Sequence, residues 1–373
     1  MISFRMGEGF YIIAAMTIIA EPDLRRTPPG RDGAHRVARV RVTQAEGVPA
    51  AVERAMELAE WRRHVSGRKI FLKINTLSFP LMPGTNTSPW VVEGVLRTLR
   101  KGLPEAEILM GDSQIVGADN VRRAKSIWGY DRLAERYGAE YVDLSRDPLE
   151  EVEVDGDAVQ RIPFPRTLLE ADAIVSLPVM KCHHLSTITA SLKNQWGCLP
   201  TFRHNFHPIL HKVIVDINRA LRPRFTVVDG TVVQEGKGPR TGKIRIADLV
   251  MASPDLVAAD AAAARYMGFD PRQIGYLTLA EQRGLGTIDG ETVGDDVGSE
   301  RFARPSANML GFVHKKLRAS FLRPLLFETP LIHLLARMAL IYNTQLWYRL
   351  EGRPAARRLI SESWYGAQFP WRG

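Results

Sequence analysis

Short apolar runs alternate with amphipathic stretches through the middle of this chain. Four of the runs have the length and the flanking polar or turn residues of buried strands, namely RVARVRV after His35, KIFLKI, EILMGD and AIVSL. Between and after them, apolar residues recur at helical spacing, as from Val48 onward and from Leu256 to Met267. This alternation predicts an α/β fold with a mostly parallel, doubly wound sheet and helices on both faces.

The pattern changes at both ends of the chain. An apolar run of eleven residues, Phe10 to Ala20, is followed by a stretch rich in Pro, Gly and Arg. Because so short a run cannot span a bilayer, residues 1–34 are predicted to be a flexible lead-in. Residues 35–300 form the predicted α/β core. Residues 301–373 are predicted to form a helical C-terminal appendage, with a helix start at Thr329 and Pro330.

The stretch from Ala173 to Gly197 carries the densest polar chemistry. Its apolar strand ends at Pro178, and Lys181 and His183 follow directly, with Lys193 further on. In an open α/β sheet, ligands bind where the chain leaves the carboxyl ends of the strands. Lysine and histidine side chains at such an edge suit an anionic ligand, a metal ion, or both. A solvated loop with a lysine on each side is the simpler alternative.

Polar side chains also follow other predicted strands. Because the carboxyl ends of parallel strands share one edge, we expect six of these side chains to line one pocket. They are Asn75, Asp112, Lys181, His183, Lys193 and Asn194. In this hypothesis the catalytic residues are His183, Lys181 and Lys193, with His183 moving a proton. The substrate-binding residues are Lys73, Asn75, Asp112, Asn194, Asp229 and Glu235. The alternatives are an edge lysine at position 73 and a helix cap at position 112.

Histidines are unusually concentrated near this stretch. Five of the nine lie between residues 183 and 211. His207 and His211 are four residues apart, which on a helix would place both on one face, although Pro208 lies between them. A divalent metal would use His183, His204 and His207, because catalytic zinc takes three protein ligands and keeps one position open. The alternative is histidines that face solvent or bind an anion directly.

One glycine-rich segment has the composition of a phosphate-binding loop, EGKGPRTGK from Glu235 to Lys243. Its spacing differs from that of a nucleotide P-loop, because three residues separate Gly238 from Gly242 and an isoleucine follows the lysine. The segment therefore predicts either a hairpin turn or a basic lid that closes over an anionic ligand.

The net charge of +9 lies in one part of the chain. Residues 301–373 contain 12 Lys or Arg and three Asp or Glu, so the remainder is neutral. The charge balance therefore does not indicate nucleic-acid binding. The two cysteines, Cys182 and Cys198, are too few for a disulfide scaffold or for a four-cysteine iron–sulfur cluster held by this chain alone. Unpaired thiols are typical of a reducing cytoplasm.

Residues 308–373 combine an apolar helix face with arginines and aromatic residues. This combination is typical of a segment that lies on an anionic membrane surface, here the inner face of the membrane. The alternative is a helix that docks on the core or on a protein partner, with its arginines in solvent. His333 and Arg337 argue against a helix that spans the bilayer.

Several motifs resemble those of the bacterial and archaeal domain of unknown function 362 family. The first is a strand followed by LPxxK-x-H and then LKN-x₂-G, in which His183 occupies the motif histidine position. Others, in the family's order, are LKINTL, PGTNTSP, GDS, VDGTVVQEGKGPRTG and SPDLVAADAAAARYMGFDP. The resemblance covers about residues 36–287 and departs at Ile74, where the family usually has proline. It implies the α/β fold and the position of the site, and the family name leaves the activity open.

These observations predict an enzyme that acts on a small anionic substrate, with or without a divalent metal. The alternative is a non-catalytic accessory protein that handles a metal or iron–sulfur centre for a redox partner, at the membrane surface or elsewhere. A third hypothesis is a peripheral membrane scaffold whose site is vestigial.

Overall fold

The computed structural model describes residues 35–115, 118–307 and 331–369, with 2–6, 9–13 and a few residues between 312 and 329. β1 (Ile2–Met6) and β2 (Gly9–Ile13) form a separate antiparallel hairpin. Most of the apolar run from Phe10 to Ala20 lies outside the described residues, as do Pro330 and residues 370–373.

The remaining described strands form one large sheet and one small hairpin. They are β3 (Arg36–Arg41), β4 (Lys69–Ile74), β5 (Glu107–Asp112), β6 (Ala139–Asp143), β7 (Leu149–Glu153), β8 (Arg161–Pro165), β9 (Ala173–Leu177), β10 (Val179–His183), β11 (Thr187–Thr189), β12 (Phe225–Glu235), β13 (Lys243–Ser253) and β14 (Glu291–Gly294). The large sheet has ten strands in the order β14-β3-β13-β12-β9-β4-β5-β6, and β10 pairs with β11 and β12 beside this path. β7 and β8 pair only with each other.

The centre of the large sheet is parallel. β6, β5, β4, β9 and β12 run in one direction, whereas β13 lies antiparallel between β12 and β3. This arrangement confirms the predicted α/β class with a mostly parallel sheet. It places the carboxyl ends of β4, β5 and β9 at one edge, which is where ligands bind in such sheets.

Helices cover both faces of the sheet. They are α1 (Val48–Leu58), α2 (Pro89–Gly102), α3 (Asn120–Ile127), α4 (Tyr130–Arg136), α5 (Arg166–Leu169), α6 (Ser191–Asn194), α7 (Leu210–Leu221), α8 (Leu256–Tyr266), α9 (Gly275–Gln282), α10 (Leu331–Ile341) and α11 (Arg353–Glu362), with the π-helical segment Tyr342–Gly352 between the last two. One apolar core includes α1 and α2, and another includes α7 and α8. α3 and α4 are separate helices, because Gly129 adopts a φ of 73° between them.

The last described part of the C-terminal segment belongs to the core. Ala356, Leu359, Tyr365 and Phe369 are buried. The rings of Tyr365 and Phe369 lie 5.2 and 5.1 Å from that of Trp90 on α2. The Tyr365 hydroxyl also donates a hydrogen bond of 2.6 Å to Oδ1 of Asp248. Over residues 353–369 the packing alternative is therefore the one observed.

Helix α10 behaves differently. Leu334, Met338 and Ile341 are 56%, 59% and 60% exposed and lie along one side of the helix. The opposite side, including Leu340, packs against the core. Within the described residues, no helix is long and apolar enough to cross a membrane. The outer side of α10 is thus an exposed apolar stripe, while the inner side of the same helix packs on the core.

Candidate functional site

The carboxyl ends of the parallel strands open into a cavity of about 360 Å³. All six side chains predicted to share a pocket line it: Asn75, Asp112, Lys181, His183, Lys193 and Asn194. Asn75 follows β4, Asp112 ends β5, and the single turn of α6 carries Lys193 and Asn194. The shared edge of parallel strands is the physical reason for this convergence.

Three further cations line the same cavity and were missing from the predicted site. Arg203 comes from the 3₁₀ segment Thr201–Ile209, while Lys237 and Arg240 come from the loop between β12 and β13. The glycine-rich segment is therefore both a hairpin connection and a basic wall of the cavity. Five cationic side chains face one space, whose lining carboxylate among the described residues is Asp112.

Lys181 is almost fully buried at the bottom of this charge cluster. Its Nζ donates to Oδ1 of Asn75 and to the carbonyl oxygen of Thr85, both at 2.6 Å. Burial and the charge of Lys193, opposed by Asp112, together lower the pKa of Lys181 to about 7. Both protonation states of Lys181 are therefore accessible near neutral pH.

Lys193 and Arg240 present their charges to the cavity. Neither side chain has a hydrogen bond or an ion pair within the described residues, and Lys193 lies 5.7 Å from the ring centre of Trp196. Burial lowers the pKa of Lys193 to about 8 and that of Arg240 to about 10, and the charge of Arg203 contributes in each case. Arg203 itself is held by the Ser113 hydroxyl at 2.6 Å and by backbone carbonyls.

His183 is fixed in one tautomer. The backbone N–H groups of Leu185 and Ser186 donate to its Nδ1 at 3.1 and 3.3 Å, so Nδ1 carries no proton and the neutral ring is protonated at Nε2. Burial, assisted by the charge of Lys193, lowers the pKa of His183 well below its usual value. The ring is therefore a neutral hydrogen-bond donor from Nε2. Binding a metal through Nε2 would require both N–H bonds to Nδ1 to be given up.

Asp112 and Lys73 form a buried ion pair beneath the cavity. Lys73 Nζ lies 2.8 Å from Oδ1 of Asp112, whose Oδ2 accepts the Thr76 N–H at 2.7 Å. Gly197 packs directly on this pair, because a Cβ there would collide with Asp112 and lie 2.8 Å from Lys73 Nζ. Lys73 does not line the cavity, so its predicted substrate contact is replaced by a role in holding Asp112.

Asn194 offers an unused acceptor. Its Nδ2 donates to the Lys73 carbonyl at 2.7 Å and to Ser176 Oγ at 3.1 Å, which fixes the orientation of the amide. Its Oδ1 is buried and has no hydrogen-bond partner within the described residues. Because an unpaired buried acceptor is unfavourable, a donor from a bound molecule or a water fits here.

A buried aspartate positions the α6 turn. Asp260 on α8 accepts the backbone N–H groups of Ser191 and Leu192 at 2.5 and 3.2 Å, and the Tyr276 hydroxyl at 3.2 Å. Burial raises the pKa of Asp260 to about 7, against the effect of these donors. Asp260 was not among the predicted site residues, although it lies in a motif that the family resemblance singled out.

Two predicted substrate-binding residues lie elsewhere. Asp229 is in the middle of β12 and accepts the Ser88 N–H at 2.8 Å and the Thr231 hydroxyl at 2.6 Å, so its carboxylate serves the start of α2. β12 continues past Asp229 to Glu235, so Asp229 does not follow the end of a strand. Glu235 lies 3.2 Å from Arg245 and accepts the Ala303 N–H at 3.0 Å, away from the cavity.

The histidines predicted to bind metal are not assembled as a set. His183 and His207 line the cavity, whereas His204 does not. His207 Nδ1 is 2.7 Å from the backbone oxygen of His204, and its ring packs on Trp196. Across the described chain, no group of three or more His, Cys, Asp and Glu side chains is placed to hold a metal ion.

The C-terminal segment completes the cavity. Ala339 of α10 and Asn343 of the π-helical segment lie in its lining. Tyr348, one turn further on, donates a hydrogen bond of 3.1 Å to the backbone oxygen of Leu81. The helix with the exposed apolar stripe is thus also a wall of the candidate site.

Comparison with known proteins agrees with the motifs. The model of the family described as Domain of unknown function (DUF362) matches residues 70–265, more than half of the chain, so the protein belongs to this family. The thylakoid-associated protein sll1697 of Synechocystis is 28% identical over 231 residues, which cover 59% of this chain and 69% of that protein.

Two solved structures are similar to part of this chain. The lactate racemase apoprotein of Thermoanaerobacterium thermosaccharolyticum matches with a TM-score of 0.42 and 14% identity, over 71% of this chain and 62% of its own. A Thermotoga maritima protein matches with a TM-score of 0.36 and 15% identity, over 63% of this chain and 58% of its own. The chain therefore spans less than two thirds of the length of either structure.

Proposed function

We propose that this member of the DUF362 family is an enzyme that binds a small anionic substrate in the cavity and transfers a proton through Lys181. The observation that carries the proposal is the charge of the cavity. Five cationic side chains line it, while Asp112 is already paired with Lys73. Buried cations without counter-charges are costly, so an anion would stabilise the site. The volume of about 360 Å³ suits a small molecule.

The surroundings of Lys181 support proton transfer. Asn75 and Thr85 accept hydrogen bonds from two N–H groups of the Lys181 amine. The remaining site on the nitrogen carries a proton when the amine is charged and a lone pair when it is neutral. With a pKa of about 7, both forms are well populated at neutral pH, which is the condition for efficient acid–base catalysis. Lys193 and Arg240 would neutralise the substrate, and Asn194 Oδ1 would accept a hydrogen bond from it.

Native mass spectrometry of the freshly purified protein tests this proposal. We expect an organic or inorganic anion to co-purify with the wild type and to be lost from Lys181→Met and Arg240→Gln. The matched control is Lys243→Met, which removes an exposed lysine that does not line the cavity. Equal retention in all three variants would contradict the proposal. A bound metal in place of an anion would favour the accessory-protein alternative.

We also propose that the outer side of α10 lies on an anionic bilayer. The apolar stripe of Leu334, Met338 and Ile341 supports this, because it is more than half exposed. Five exposed arginines accompany it, against two exposed glutamates: Arg337, Arg349, Arg353, Arg357 and Arg358. Apolar surface flanked by arginines is favourable at anionic membranes. The Synechocystis relative is described as thylakoid-associated, which agrees with a peripheral location.

Co-sedimentation with vesicles of phosphatidylcholine and phosphatidylglycerol tests the membrane proposal. The double variant Leu334→Gln/Met338→Gln is expected to weaken binding at least tenfold. The control Ile127→Gln/Ile246→Gln removes exposed apolar residues elsewhere and should bind as the wild type does. Raising salt from 0.1 to 1 M should weaken the electrostatic part, since the Debye length falls from about 10 Å to about 3 Å. Unchanged binding by the α10 variant would refute the proposal.

A further inference from the structure

A second, larger cleft lies at the opposite edge of the parallel strands. Its volume is about 560 Å³, and it is formed where the chain enters β4, β9 and β12. The first cavity lies at the other end of these strands, about 17–20 Å away for strands of this length. The two spaces are separated by the sheet and by α6, whose Leu192 lines the cleft while Lys193 and Asn194 line the cavity.

The lining of the cleft is strongly basic. It contains one histidine, His64, and five arginines: Arg63, Arg219, Arg222, Arg224 and Arg283. The lining carboxylate, Asp172, already accepts the backbone N–H groups of Arg68 and Lys69 at 2.7 and 2.9 Å. The guanidinium groups come from three separate parts of the chain, around residues 63, 219–224 and 283, and the fold brings these parts together.

Arginines outnumber carboxylates five to one in the lining of the cleft. Burial lowers the pKa of His64, and the charges of Arg63 and Arg224 lower it further, while Glu60 opposes them. Arg63 pairs with Glu60, Arg219 with Asp155 and Arg283 with Asp157, and Arg222 and Arg224 also have interaction partners. None of these three carboxylates lines the cleft, and Asp155 is 88% exposed. In the pairs of Arg63 and Arg219 one partner is largely exposed, and exposed ion pairs contribute only about 0–1 kcal/mol, so these two arginines can turn to a ligand at little cost.

A buried acceptor completes the cleft. Asn218 is 3% exposed and lines the cleft. Its Nδ2 donates to the carbonyl oxygens of Leu192 and Ile214, both at 2.8 Å, which fixes the amide orientation. Its Oδ1 has no hydrogen-bond partner within the described residues. An anion without hydrogen atoms cannot satisfy this oxygen, whereas a hydroxyl group can.

We propose that this cleft is a second ligand site, for an organic phosphate that carries a free hydroxyl, such as a phosphorylated sugar. The arginines bind the phosphate, since planar guanidinium groups form paired hydrogen bonds with phosphate oxygens. The hydroxyl donates to Asn218 Oδ1. The volume of the cleft accommodates a ligand larger than the first cavity can hold. This inference does not depend on the function proposed for the first cavity.

Isothermal titration calorimetry with ribose 5-phosphate tests the proposal. We expect saturable binding to the wild type, and a loss of at least tenfold in affinity in Arg222→Gln/Arg224→Gln. Arg63→Gln/Arg283→Gln changes two exposed arginines and provides a second variant if the first fails to fold. Arg240→Gln, in the first cavity, should leave this binding unchanged. Inorganic phosphate should bind more weakly than ribose 5-phosphate because it lacks the sugar.

Three outcomes would overturn the proposal. The first is no saturable binding of ribose 5-phosphate to the wild type at 10 mM. The second is a loss of binding in Arg240→Gln but in neither cleft variant, which would place the sugar phosphate in the first cavity. The third is binding of a single-stranded RNA, with a steep salt dependence that both cleft variants abolish, while ribose 5-phosphate does not compete.

Discussion

The pH dependence of anion binding tests the electrostatics of the first cavity most directly. Sulfate is a suitable probe because it keeps its charge between pH 6 and 8. An anion stabilises protonated Lys181 and Lys193, so it raises their pKa values on binding and takes up protons from solution. Affinity should therefore increase as pH falls from 8 to 6, through the pKa values of about 7 and about 8.

The size of the effect follows from these two pKa values. An amine of pKa 7 is ~90% protonated at pH 6 and ~9% protonated at pH 8, which gives a factor of ~10 in affinity if sulfate binds only the charged form. Lys193 contributes a further factor of ~2, so the dissociation constant should fall ~20-fold in total. At pH 7, ~0.6 proton should be taken up for each sulfate bound. His183 remains neutral in this range, since its pKa is well below the usual value.

Calorimetric titrations at pH 6, 7 and 8 measure the dissociation constant of sulfate. Repeating them in buffers of different ionisation enthalpy measures the proton uptake on binding. Lys181→Met should bind sulfate weakly and lose most of the pH dependence. Arg240→Gln is the matched control, because Arg240 stays charged throughout this range with its pKa of about 10. Its removal should weaken binding but leave a pH dependence, shifted to higher pH because the charge of Arg240 lowers the pKa of Lys181. A wild-type constant that is independent of pH, or a pH dependence retained by Lys181→Met, would refute the reasoning.

Three further predictions concern stability. Gly197→Ala should destabilise the protein by ~2 kcal/mol or more, because its Cβ would collide with Asp112, and urea denaturation measures this. Tyr365→Ala should cost ~3–5 kcal/mol, since the ring is fully buried against Trp90, and an effect below ~1 kcal/mol would show that the C-terminal segment is not part of the core. The folded-state pKa of Asp260 is about 7 against a reference of 3.8, so its contribution to stability is complete below pH ~4 and is lost as pH rises to ~7. As pH rises across this window, the free energy of unfolding of the wild type should fall by roughly 4 kcal/mol relative to that of Asp260→Asn. A difference in unfolding free energy between the two proteins that does not vary with pH would contradict this pKa.

The central strands could be predicted because burial determines them locally. KIFLKI and EILMGD are almost continuously apolar, and both form strands of the expected length, β4 and β5. The six side chains that share the cavity could be predicted because two rules act together: polar residues follow strands, and parallel strands end at one edge. Neither rule needs knowledge of distant contacts.

The rest of the cavity depends on contacts that local sequence does not encode. Arg203 reaches it because a 3₁₀ segment folds over the sheet edge. In the hairpin loop, Arg240 faces the cavity whereas Glu235 faces Arg245, because Glu235 pairs with Lys243 in the ladder between β12 and β13. A shift of that ladder by one residue would reverse the sides. Sequence reasoning recognised the basic loop but not which of its residues would line the site.

The wall formed by Ala339 and Asn343 has a consequence for biosynthesis. Asn75, which also lines the cavity, leaves the ribosome 268 residues before Asn343. At translation rates of about 5–20 residues per second, this interval lasts roughly 13–54 s. All strands of the large sheet are made by Gly294, so the sheet can assemble while the cationic cavity and the surface around Trp90 are still uncovered. The cavity is therefore completed late in synthesis. Chaperones that recognise exposed apolar surface would bind most readily before the C-terminal segment has packed on the core.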